Sequence, residues 1–206
     1  VDAQVAAGLQ PGFLRQQHDR VGLLPARAAR APDRHGRRAG SALGAPHALV
    51  DDMVVNSETL LGRTLSVPVV AKAAGSNAAV DNAYAMAVPR DAAGGFDGPL
   101  ASCSVVFAPD GLALTGAALV ALAAHEVFHC FEYDLGTVTQ SAHRPAWIIE
   151  GMAEWAGETI AGGSALGTGT WKGWLDHFAT QPLFERAYTA IGFYAHIDDS
   201  GIELWG

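Results

Sequence analysis

Ala124-His125-Glu126-Val127-Phe128-His129 is the stretch on which the reading of this chain turns. Two histidines four residues apart leave the same face of a helix, one turn apart. That spacing lets two imidazole nitrogens share one tetrahedral metal ion. Glu126 is the next residue round. It lies too far off to be a third ligand, but close enough to take a proton from a metal-bound water as general base. Zinc lowers the pKa of such a water to about 7. The competing reading is a pair of core histidines bonded to backbone carbonyls. It leaves a carboxylate in a buried helix with no chemical reason to be there, at a cost in desolvation.

The surroundings predict that helix. From Thr115 to Glu132 the chain is rich in Ala, Leu and Val and has no proline. Thr115 is the expected N-terminal cap. Leu119, Leu122 and Phe128 extend an apolar side, and Ala121 and Ala124 permit close packing. A helix apolar nearly all round belongs in the middle of a domain. A second stretch, Trp147-Ile148-Ile149-Glu150-Gly151-Met152-Ala153-Glu154-Trp155, falls within a helix predicted from Ala146 to Glu158, with Pro145 near its first turn. Glu150 lies 21 residues after His129.

Together the two stretches resemble the gluzincins, the thermolysin-like and aminopeptidase N-like zinc peptidases of the peptidase MA-like group. Their W-L-x-E-G-x-A-E-[YW] block is matched by residues 147–155. The likeness covers about residues 100–200, most closely 115–158. A metzincin would need Gly at 132 and His at 135, where this chain has Glu132 and Leu135. The resemblance implies Zn2+ held by His125, His129 and Glu150, with Glu126 as base. Glu154, one turn beyond Glu150, is implied to accept a hydrogen bond from a ligand imidazole and so fix its tautomer. Tyr188-Thr189-Ala190-Ile191-Gly192-Phe193-Tyr194-Ala195-His196-Ile197 looks like the Y-x-x-G-x-x-x-[LF] helix of the aminopeptidase branch, with Gly one position late. It implies Tyr188 as oxyanion donor, with Tyr194 in reserve and His177 and His196 behind both. His143 reads as a loop residue.

The chain departs from the family at several points. No G-x-M-E-N-like block lies upstream to hold a free N-terminus, which favours endopeptidase over aminopeptidase. Ile149 stands where the thermolysin type has Asn, and Glu154 where it has Asp. The alternative function is a non-catalytic zinc-binding or recognition domain that keeps the fold.

The implied architecture is α+β and zincin-like: a small mixed sheet with an edge strand, then the buried zinc helix, then a mostly helical C-terminal part. Elsewhere the pattern predicts a helix over Ala48–Leu61, stopped at Gly62. Strands are expected at Leu65–Ala71, Tyr84–Val88 and Cys103–Phe107, with Pro68 marking an edge or a bulge. Residues 77–82 read as a turn-rich break. The strand before the zinc helix, Cys103–Phe107, is expected at the sheet edge, open to an extended substrate. Leu135–Pro145 reads as a connection, Gly162–Gly169 as a flexible loop, Trp171–Phe178 as a short helix and Phe184–Ile197 as another.

The formal charge is −8. Residues 1–40 hold seven of the 13 basic residues and three of the 21 acidic ones, which leaves six basic and 18 acidic for the rest, a net of −12. Residues 1–45 read as a flexible basic arm or a remnant, and 46–206 as the catalytic domain, truncated at its C-terminus. An acidic body argues against nucleic acid and leaves a peptide or protein as the expected partner. No apolar run reaches 18 residues, so no membrane span is expected. Analogy with exported peptidases points to a secreted or cell-surface protein. The two cysteines, Cys103 and Cys130, are open to either a bridge or two buried thiols.

Overall fold

The computed structural model describes residues 46–74, 83–202 and 204. The expected basic arm, residues 1–45, and the turn-rich break at 77–82 lie outside them. The elements run α1 (Pro46–Leu61), β1 (Val69–Ala73), β2 (Ala85–Asp91), β3 (Leu100–Phe107), α2 (Pro109–Leu112), α3 (Gly116–Tyr133), α4 (Val138–Ala142), α5 (Ala146–Ala161), α6 (Ala165–His177), two 3₁₀ turns (Leu183–Glu185 and Tyr188–Ala190) and α7 (Ile191–Asp199). The chain is therefore mixed α+β, with a small sheet and mostly helical content.

α3 is the axis. Every residue from Ala121 to Tyr133 is buried, as expected of a helix apolar on all sides. It packs most extensively on α5, and also on α1 and β2. Thr115 occupies the capping position, but its side chain makes no capping hydrogen bond, so that expectation fails. Gly116, at φ +57°, makes the turn into the helix instead.

The three strands lie in the order β1-β3-β2, with β1 parallel and β2 antiparallel to β3. This corrects the expected strand position: β3, which contains Cys103–Phe107, is central, and β1 and β2 are the edges. The buried residues of β3, Cys103, Val105 and Phe107, face the core beside α3. β2 runs through Pro89 to Asp91, three residues further than expected. Its edge position explains how. Ala87 directs its N–H away from β3, toward Glu126. Pro89, two residues on, points its missing donor to the same free side.

Cys103 on β3 and Cys130 on α3 are joined in a disulfide, with Cα atoms 5.9 Å apart. α4 occupies what reads as a connection, started by a reciprocal cap between Thr137 and Gln140. No helix among the described residues is long and apolar enough to cross a membrane.

Candidate metal centre

α3 and α5 bring the candidate ligands together because they approach very closely. A Cβ at Gly157 would lie 2.7 Å from the Ala121 carbonyl oxygen and 3.3 Å from His125 Cβ. Only glycine lets α5 lie this near, and Glu150, two turns earlier, then reaches the histidines. His125 Nε2 and His129 Nε2 are 3.1 Å apart. Glu150 Oε2 is 3.4 Å from the first and 3.7 Å from the second. A tetrahedral ion with bonds of about 2.0–2.2 Å spaces its ligand atoms about 3.3–3.6 Å apart. The three side chains thus form a group that can hold a metal ion.

The remaining imidazole nitrogens fix the orientation. His125 Nδ1 lies 3.3 Å from Glu154 Oε2, and His129 Nδ1 lies 2.7 Å from Glu132 Oε2. A carboxylate accepts only, so each Nδ1 carries a hydrogen, and in the neutral form each Nε2 turns a lone pair inward. Two lone pairs and a carboxylate oxygen then converge. Glu150 Oε2 is buried and has no hydrogen-bond partner among the described residues. An orphaned buried carboxylate oxygen facing two imidazole lone pairs fits a cation, and the N,N,O donor set suits zinc among other divalent metals.

The electrostatics agree. Burial depresses both imidazoles, yet the carboxylates outweigh it: Glu150 and Glu154 push His125 up to about 9, and Glu132 and Glu150 raise His129 well above its ordinary value. Burial raises Glu150, but the two imidazoles hold it well below the usual carboxylate range. The cluster attracts positive charge.

Glu126 stands beside these groups, 6% exposed, and its Oε2 accepts the Ala87 amide hydrogen at 2.7 Å. Tyr188 is also present. Its ring lies 5.7 Å from that of His125 and nearly parallel to it, and its phenol hydrogen-bonds to Glu150. Burial first, and the nearby carboxylates next, raise its pKa well above 10, so the hydroxyl keeps its proton. Tyr194, by contrast, packs in the core with Trp147 and Phe193. His143, His177 and His196 are exposed.

Two supporting residues escaped the sequence reading. Glu132 entered it only as an obstacle to a metzincin, although its i,i+3 spacing from His129 placed it within reach. Thr170, on α6, donates to Glu154 Oε1 at 2.8 Å, and nothing in the sequence marks that tertiary contact.

Fold and site define an α+β protein with a buried two-histidine, one-glutamate cluster able to hold a metal ion. No family model, curated protein or solved structure matches the chain.

Proposed function

We propose that this chain is a zinc-dependent hydrolase of peptide bonds that cuts within chains rather than at a free N-terminus. One observation carries the reading. The Nε2 atoms of His125 and His129 and Oε2 of Glu150 converge within 3.7 Å, with Glu126 on the turn between the two histidines. A zinc ion bound there would acidify a water and polarise a carbonyl.

The other steps belong to the protein. Glu126 takes the proton of the attacking water and returns it to the leaving amine nitrogen as the C–N bond breaks. The Ala87 amide pins one of its oxygens and leaves the other for this transfer. Tyr188, neutral and close to Glu150, donates to the carbonyl oxygen as that atom gains charge. An extended substrate would lie along the outer edge of β2 rather than along β3, pairing with its carbonyls, since the Ala87 amide is held by Glu126 and Pro89 has no N–H. The buried Cys103–Cys130 bridge supports an oxidising, extracytoplasmic setting.

Metal content and cleavage of an internally quenched peptide library, read together, test the reading. Wild-type protein is expected to carry about one zinc per chain and to cleave. Glu150→Ala should lose the metal. Glu126→Gln should keep it and lose about 10²–10⁴-fold in turnover. Undiminished turnover in Glu126→Gln would sink the mechanism, and a protein that binds no metal would sink the centre.

A further inference from the structure

We propose that Glu132 is a positioning residue of this centre, holding His129 so that its Nε2 stays turned toward the ion. The proposal rests on the reading of His125, His129 and Glu150 as a metal site. Glu132 Oε2 lies 2.7 Å from His129 Nδ1, closer than Glu154 lies to His125. Both partners sit on α3, three residues apart. The pair is therefore set by the helix itself and does not depend on how α5 docks.

The setting of Glu132 argues against a role in folding. Among the described residues it is the most buried carboxylate, at 2% exposure. Its second oxygen, Oε1, has no hydrogen-bond partner. Arg144 is near, but its guanidinium bonds to the main-chain carbonyl of Glu132 and not to the carboxylate. A buried carboxylate with one oxygen unsatisfied carries a desolvation cost. A function for the charge must lie in what it touches, and among the described residues the only side chain it bonds is His129. A carboxylate on Nδ1–H fixes the tautomer and raises the basicity of Nε2.

α5 offers no substitute. Its acceptor, Glu154, serves His125 and is itself held by Thr170. The residue before Glu150 is Ile149, buried and apolar, so it cannot accept from His129. The acceptor for the second imidazole has to come from α3, and Glu132 supplies it.

Zinc affinity, measured by chelator competition on the full chain, tests this alongside thermal unfolding of the metal-free protein. Glu132→Leu should weaken zinc about 10–100-fold. Glu132→Gln keeps an acceptor for Nδ1–H but loses the charge, and should fall between that variant and wild type. The metal-free midpoint of Glu132→Gln should stay near wild type, whereas that of Glu132→Leu, which leaves the His129 Nδ1–H buried without an acceptor, should fall. A residue that acts only through stability would leave zinc affinity unchanged in Glu132→Gln at an unchanged midpoint, and that result overturns the proposal. So does zinc affinity within twofold of wild type in Glu132→Leu. If that variant does not fold, Glu132→Gln decides alone by the same twofold criterion. Wild-type protein that binds no zinc overturns the metal reading and this inference with it. Wild-type binding with unchanged variants overturns this inference only.

Discussion

At the scale of single residues, the centre depends on which atom of each side chain faces inward. Glu154 and Glu132 bind the Nδ1 atoms of the two histidines. That leaves both Nε2 lone pairs, and with them Glu150 Oε2, directed at one point. Tyr188 differs from the ligands in that its contribution divides cleanly. The ring stacks beside His125, and only the hydroxyl can stabilise a developing oxyanion. Tyr188→Phe keeps the ring and removes the donor. In the proposed mechanism this variant should bind zinc like wild type and lose about 10²–10³-fold in kcat, with KM little changed. Steady-state kinetics on one quenched peptide, with metal content measured in parallel, would decide it. A loss confined to KM would make Tyr188 a substrate-binding residue instead.

At the scale of elements, the site is a product of the close approach of α3 and α5, and small residues set that distance. Gly157→Ala would put a methyl group 2.7 Å from the Ala121 carbonyl oxygen, where backbone and not a flexible side-chain end must give way. The helices must separate near His125. Overpacking of this kind costs about 1–3 kcal/mol, and the same shift moves Glu150 away from the histidines. Urea unfolding should show the loss of stability, and chelator competition a weaker metal site. Unchanged stability and affinity would mean that the interface adapts freely. The sequence disclosed α3 and α5 because their apolar faces and spacings are local properties. Glu150 and Glu154 were legible only through the resemblance of residues 147–155 to a known block. What the sequence hid was non-local. Alternation along a strand tells which face is buried but not which strands are its neighbours, so the central place of β3 could not be read. Gly162–Gly169 reads as a loop, yet α6 begins at Ala165, capped by Ser164. Its Gly167 is needed because Glu158 Cδ would lie 2.2 Å from a Cβ there. The stretch 184–197 reads as one helix, but the chain breaks at Ala187. Arg186, 3% exposed, is turned inward to bond the carbonyls of His177 and Gln181. That break sets Tyr188 on a turn against α5, where Gly151 admits Ala190.

At the scale of the molecule, a three-stranded sheet with two edges is a slight foundation for a helix that must hold two ligands still. The sheet is tied to that helix at one covalent point, Cys103–Cys130, one residue past His129. The bridge closes a loop with a sequence separation of 27. Restricting that loop in the unfolded chain is worth roughly 3–4 kcal/mol in the chain-entropy model. Both cysteines are almost wholly buried, so replacing them also removes packing. Cys103→Ala combined with Cys130→Ala is therefore expected to lower the unfolding free energy by at least that amount. The position of the bridge adds a kinetic expectation. A reductant cannot reach sulfur atoms enclosed between β3 and α3 while the fold persists. Native protein should keep its bridge in millimolar dithiothreitol, and reduction should follow the unfolding transition as urea is raised. Thiol titration against urea concentration, with and without reductant, separates the cases. Rapid reduction in the absence of urea would show that β3 and α3 part readily, and that the bridge is not enclosed by the packing that holds the metal ligands.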